Sequence, residues 1–423
     1  MDIVVIGGGW AGCAAALAAK KQGARVTLAE RTDMLLGTGL VGGIMRNNGR
    51  FTAAEELIAM GGGELLLLTD RHLLHRNINF PGHDHACLYN VGTIEPAVRQ
   101  MLTDQGVTVL MNTRITEVTV KNGWIEAVQG KSGHEPVELK GDVFIDTTGT
   151  AGPPALCTKY GKGCAMCILR CHSFGGRVSI AGKAGVKEMI GQKPGQTGAM
   201  SGSCKLHKGS LSSEIRHRLE EDGVAVIPVP KSLRTSGKLS MKACQQYAID
   251  EFEENVILLD TGHAKLMSPF FPLELLRKIP GLENARYEDP YAGGKGNSVR
   301  FLAMSPRDNR LKVEGVKNLF CAGEKAGLLV GHTEAVCTGT LAGFNAARNS
   351  ETPIVLSETT AIGDAVSHVR EQMTDRQRLD LKFTFSGSVL FARMREKGLY
   401  TTDIDIIRKR VSDAGLTDVF LNR

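Results

Sequence analysis

The chain opens on a short apolar run, Asp2-Ile3-Val4-Val5-Ile6, that passes directly into Gly7-Gly8-Gly9-Trp10-Ala11-Gly12. Cys13 to Lys21 follows as an alanine-rich run of strong helix formers ending near Gly23. A second apolar run, Arg25 to Ala29, closes on Glu30. This pattern predicts a strand, turn, helix and strand of about 30 residues, the size of a βαβ crossover. Further strands are predicted at Thr108 to Met111, Ile115 to Val120 and Trp124 to Val128, with Asn122-Gly123 as a hairpin turn. Val143 to Asp146 reads as a buried strand entering the turn Thr147-Thr148-Gly149-Thr150. From Ser179 to Gly209 the chain is rich in Gly, Ser and Lys with little period, which predicts a loop excursion. Residues 210 to 310 have mixed character, and the last 70 show helical patterns such as Ile404 to Ala414.

With 423 residues the chain exceeds the size of one core, so two to three domains are expected. Its 50 glycines exceed ordinary usage of about 7%, which suggests close approach of backbone to a ligand at several places. No run of 18 apolar residues exists, and the N-terminus lacks a basic region and cleavage site, so a cytoplasmic protein without a membrane span is expected. Ten cysteines would then be reduced, which favours catalysis, redox work or metal ligation over disulfides. The net charge of +6 is uneven: Leu156 to Gln245 carries 15 Lys and Arg against 5 Asp and Glu. That excess is a candidate footprint for RNA or an acidic redox protein, with a solvated surface as the alternative.

Gly7, Gly9 and Gly12 form a GxGxxG that follows a strand, opens a helix and precedes Glu30 by 18 residues. In that context Gly7 permits the tight turn, Gly9 admits the pyrophosphate and Gly12 lets helix and strand pack. The helix N-terminus would bind the pyrophosphate, and Glu30 would accept from ribose hydroxyls. Three later stretches narrow the choice of dinucleotide: Leu36 to Gly43, Asp146 to Gly149, and Asn318 to Glu324 followed by Gly331-His332-Thr333-Glu334-Ala335.

At these residues the chain resembles the two-dinucleotide-binding-domain flavoproteins, and the late stretch resembles the glucose-inhibited division protein A family and the folate-dependent tRNA uridine methyltransferases. The resemblance covers the first 150 residues and about 315 to 348. It implies an α/β fold, a Rossmann-like FAD-binding domain with an inserted cap or substrate domain and a mixed C-terminal tail. The expected divisions are 1–150 and 315–350 for FAD, 151–314 for a basic, cysteine-containing cap, and 351–423 for a C-terminal extension. Expected cofactor-binding residues are Gly7, Gly9, Gly12, Glu30, Arg31, Thr38, Gly39, Gly42, Gly43, Gly149, Gly323, Glu324, Thr333, Glu334 and Ala335. Gly323 and Glu324 are expected near the flavin or its ribityl chain, and the helix start at Thr333-Glu334 at the flavin pyrimidine edge, where a helix dipole would stabilise the reduced anion. The middle of the chain shows no second GxGxxG for a nicotinamide nucleotide, and the long C-terminal tRNA-binding extension of the larger family members is expected to be absent.

Four of the ten cysteines, Cys157, Cys164, Cys167 and Cys171, fall within 15 residues. On one continuous helix Cys164, Cys167 and Cys171 share a face, which makes them candidate catalytic residues. The readings are a redox dithiol favoured by Lys162 and Arg170, a [4Fe-4S] cluster with Cys157 as fourth ligand, and structural zinc or inert thiols. Cys204 with His207 and the stretch His83-Asp84-His85 are weaker candidates, while Arg46 to Arg50 is either an anion-orienting group or a polar turn. Cys321 and Cys337 read as packing residues. The expected activity is an FAD-dependent oxidoreductase transferring electrons or hydride through flavin N5, with the cysteines as candidate relay. The alternatives are a tRNA- or rRNA-modifying flavoprotein and an electron-transfer subunit docking an acidic redox protein.

Overall fold

The computed structural model describes residues 1–150, 170–191, 199–201, 204–234, 249–268, 271–288, 298–300, 302–349, 353–375, 379 and 381–421. The opening unit folds as its pattern predicts: β1 (Asp2–Ile6), α1 (Trp10–Lys21) and β2 (Arg25–Ala29). β1 lies inside a five-stranded parallel sheet ordered Leu319–Cys321, Val143–Asp146, β1, β2, Thr108–Leu110. Because Ile6 pairs with Ala29 and Asp146, and Asp146 with Cys321, the carboxyl ends of four strands finish in one row. In an open parallel sheet that edge is where ligands bind.

Every residue of α1 from Trp10 to Ala19 is buried, which explains its near-continuous alanine. It is wedged between the sheet and the helix His332–Ala347. A Cβ on Gly339 would collide with the carbonyl of Ala11, and one on Gly343 with that of Ala15. The two helices therefore cross at backbone contact.

The Asn122-Gly123 turn forms as expected between the strands Thr113–Lys121 and Trp124–Ser132. Both turn residues have positive φ, 53° and 78°, the geometry that matches the strand twist. The excursion from Ser179 to Gly209 holds more structure than its composition predicts. It contains a helical turn, Ile180–Lys183, and a strand, Met189–Gly191, paired with Leu302–Met304. Those pairing partners lie over 100 residues away, so local periodicity could not reveal them. Residues 204 to 288 build a four-stranded antiparallel sheet around a separate apolar cluster that includes Leu206, Leu219, Leu258 and Leu276.

The described part of the C-terminal stretch packs into the main core, where Val369, Phe385, Met394, Val411 and Phe420 join β1 and α1. Glu56, fully buried, accepts from the amides of Ala361 and Ile362 and from Arg410, tying that stretch to the N-terminal half. No helix among the described residues is long and apolar enough to cross a membrane.

Candidate dinucleotide site

The three fingerprint glycines do three different things. Gly7 has φ +105°, and a Cβ there would lie 2.6 Å from the Thr147 carbonyl oxygen. A Cβ on Gly12 would collide with the Gly7 carbonyl, so only glycine lets α1 approach β1 this closely. A Cβ on Gly9 would meet nothing within 4 Å. The first two are demanded by packing, whereas Gly9 faces open space at the first turn of α1. That turn has no side-chain cap and no acidic residue, so its amides and dipole are aimed at that space without a competing anion.

The other expected residues surround the same helix start. Glu30 is buried at the end of β2, with one carboxylate oxygen accepting from the Gly8 amide at 2.7 Å and the other from the amide and hydroxyl of Thr32 at 2.9 Å. A carboxylate offers about four lone-pair sites, so capacity remains for a hydroxyl donor. Arg31 donates to the Gly175 carbonyl at 2.8 Å, and burial together with Arg177 and Arg114 pulls its guanidinium below the ordinary value despite Glu30. Leu36 donates to the Gly8 carbonyl, which brings the second glycine loop beside the first. Thr38 begins the single helical turn α2 (Gly39–Gly42), which ends at Gly43 with φ +73°.

The Thr147 hydroxyl contacts the carbonyls of Ile6 and Gly7, and Gly149 takes φ +70° in the same turn. Thr150 donates to Glu324 at 3.1 Å, and a Cβ on Gly323 would lie 2.9 Å from that of Ala11. Thr333, buried at the start of its helix, contacts the Met45 sulfur, and Ala335 follows in the same first turn. The structure thus gathers stretches 7–12, 30–43, 146–150, 323–324 and 332–335 around one helix N-terminus.

Glu334 is the exception among them in its side chain. Its carboxylate is fully buried and receives Arg50 at 3.0 Å, the Thr384 hydroxyl at 2.7 Å and the Phe385 amide at 2.9 Å. That leaves its helix position, rather than its carboxylate, to face a ligand. The same contact resolves Arg46 to Arg50: Arg46 is held by Asp70 and Glu55, so both arginines serve as internal braces. They correct the anion-orienting reading. His83 is likewise buried, 2.7 Å from Asn47.

Cys157, Cys164 and Cys167 lie outside the described residues. Cys171 begins a separate four-residue helix immediately after Arg170, which takes the left-handed conformation at φ 45°. A residue in that conformation ends the α-helical geometry, so the expected single helical face running through Cys171 does not form. Among the described residues no group of three or more His, Cys, Asp or Glu could hold a metal ion. Cys204 is buried in the core of the antiparallel sheet. Burial pushes the thiols of Cys13 and Cys337 well up and that of Cys321 to about 12, which suits packing residues.

The described basic residues of the segment 156–245 are largely occupied. Lys208 pairs with Asp260 at 2.5 Å, Lys183 with Glu117, Arg170 with Asp33, Arg218 with Glu214 and Arg234 with Glu254. Burial pulls the Lys205 ammonium below its ordinary value. Five of the described basic residues are therefore paired with carboxylates, which the composition did not reveal. One further group escaped the sequence reading because its partner is remote: Lys325, buried against Glu188 at 2.5 Å; Asp146, in a stretch the sequence singled out, accepts from the amides of Ile180 and Ala181.

Residues 2–153 match the FAD dependent oxidoreductase family, and residues 261–352 match glucose inhibited division protein A. A stretch of 105 residues is 31% identical to the tRNA uridine 5-carboxymethylaminomethyl modification enzyme MnmG of a Nitratiruptor species. It covers 24% of this chain and 16% of that relative, so the chain matches far less than two thirds of the relative's length. Two crystal forms of GidA from Aquifex aeolicus share the fold with TM-scores of 0.62 and 0.60 at 16% identity, each over 97% of this chain and 76% and 78% of theirs. Two segments of the chain are thus similar to the FAD dependent oxidoreductase and glucose inhibited division protein A families, and its fold is similar to that of GidA.

Proposed function

We propose that the chain is an FAD-dependent oxidoreductase whose cofactor lies across the carboxyl ends of the parallel strands. The observation that carries this reading is the contrast among the three glycines, since Gly9 alone fronts open space at an uncapped helix start. Gly7 to Gly12 and the first amides of α1 would hold the diphosphate, and Glu30 the ribose hydroxyls, with Arg31 beside it. Thr38, Gly39, Gly42, Gly43 and Gly149 would line the diphosphate and ribityl portion, and Gly323, Glu324 and residues 333 to 335 the flavin end. FAD bound there supplies reversible two-electron transfer. The protein's part is to orient it, to exclude water with the buried strand ends, and to direct the dipole of the helix His332–Ala347 at its polar edge.

Of the candidate relay thiols, Cys164 and Cys167 carry the reading, because Cys171 stands beyond the break at Arg170. A dithiol relay takes up two electrons beyond those of the flavin in an anaerobic titration, without iron. A cluster adds iron and sulfide in stoichiometric amounts. A second reading, modification of a tRNA uridine in the cytoplasm, is favoured by the similarity to the Nitratiruptor enzyme. A gel shift with unmodified tRNA at several salt concentrations tests it, since phosphate contacts give a steep salt slope. Absence of any shift at low salt removes that reading and leaves a small-molecule or protein redox partner.

A further inference from the structure

Lys265 lies on the strand Ala264–Leu266 of the antiparallel sheet, yet its ammonium is buried against the second glycine loop of the dinucleotide site. It donates to the carbonyl of Val41 at 2.9 Å and to that of Gly42. These are the last carbonyls of α2, the turn inside that loop. Such C-terminal carbonyls have no partner within a helix, and a cation there both satisfies them and meets the negative end of the dipole. At its other end the same turn is held by the Tyr89 hydroxyl, which donates to the Gly39 carbonyl at 2.7 Å.

The strand connection beside Lys265 also touches the loop at Gly43 and is itself held by neighbouring segments. Thr261 packs against Gly43, and its carbonyl accepts from the Val91 amide at 3.1 Å. Asp260 receives His75 at 3.1 Å and Lys208 at 2.5 Å. On the opposite side a Cβ on Gly42 would collide with the ring of His332, the first residue of the helix expected at the flavin end. Residues 41 to 43 are thus clamped between the antiparallel sheet and that helix start.

We propose that Lys265 is a positioning residue: it fixes the 39–43 turn in its cofactor-receiving geometry and couples the antiparallel sheet to the dinucleotide site. The inference rests on the FAD reading for its functional consequence, but the latch itself can be read without cofactor. Lys265→Met keeps the aliphatic stem and removes the ammonium, leaving the buried Val41 carbonyl and the part-buried Gly42 carbonyl without that donor. Lys265→Gln, which retains a shorter N–H donor, serves as a second variant should the first fold poorly.

The test measures amide hydrogen exchange in the apo protein at residues 39–43, with β1 and the strand Val143–Asp146 as internal controls, alongside FAD titration of the same samples. The latch predicts exchange faster by about tenfold or more at residues 39–43 alone. It also predicts FAD affinity weaker by about tenfold, with an unchanged exchange pattern in the control strands. A purely structural lysine would raise exchange in sheet and turn together, which would overturn the proposal, as would wild-type exchange at 39–43 in both variants. If wild-type protein binds no FAD while the local exchange difference persists, the latch stands and the cofactor reading fails. If wild-type protein binds FAD and both variants bind it equally tightly, the coupling fails and the cofactor reading stands.

Discussion

Gly9 and its neighbours show how much one atom decides. Replacing Gly9 with Val places a branched side chain into the one open direction of the fingerprint. FAD affinity should fall by at least about 100-fold, close to 3 kcal/mol, with little change in melting temperature of the apo protein. Gly12→Val should behave oppositely, losing the fold itself, because its Cβ meets the Gly7 backbone. Circular dichroism melts and cofactor titration separate the two. The packing demands at Gly7 and Gly12 were legible from spacing alone, since strand, turn and helix are contiguous. The use of Glu334 and Arg50 was not: 284 residues separate them, and nothing local distinguishes an internal brace from a ligand contact. The thiols give a further residue-scale check. With Cys13, Cys321 and Cys337 buried and their pKa values raised, iodoacetamide at pH 8 should leave all three unmodified in native protein, as peptide mass mapping would show. Alkylation of any of them at the rate of an exposed thiol would contradict their assignment to the core.

The crossing of α1 with the helix His332–Ala347 is a joint at backbone contact. Gly339→Ala or Gly343→Ala would push a methyl group into a carbonyl of α1. Each should cost about 1–3 kcal/mol, read as a lower urea midpoint. The small-residue stripe was visible in the sequence, but its partner was not, because helix contacts leave no mark on the period of either helix. A second joint is electrostatic. Asp364, in the helix Ala361–Thr374, is held by Arg393 and Lys397; burial opposes ionisation, yet these hydrogen bonds keep its carboxyl below the ordinary value. Since the folded value lies below the unfolded one, its contribution is present above about pH 4 and is lost as pH falls through the folded value. Asp364→Asn should therefore destabilise the protein at pH 7, by an amount that shrinks as the pH is lowered below about 4, as thermal melts across that range would show. Glu56→Ala removes the acceptor for the first amides of this same helix and should cost about 3 kcal/mol.

For the whole molecule, the βαβ opening was legible because β1 ends in a glycine turn with its helix and second strand directly after it, and the late return of the chain to the sheet was legible through the family resemblance at Asn318 to Glu324. The antiparallel sheet and the packing of the C-terminal stretch were less so, since both depend on pairings and core contacts between distant segments. Charge counting was least informative: Lys205 and Lys208 contribute to the basic excess in sequence, yet one is half-buried and the other is paired with Asp260. The five segments converging on α1 make the central claim a statement about one ligand at one helix start. Titration of purified apo protein with FAD, beside Gly9→Val, tests it most directly, with calorimetry giving stoichiometry and the visible spectrum reporting the bound flavin. The account predicts one FAD per chain with a protein-perturbed spectrum, and loss of that binding in a Gly9→Val protein that still melts cooperatively. Wild-type protein that stays colourless with excess FAD, or a Gly9→Val variant that binds as tightly as wild type, would contradict it.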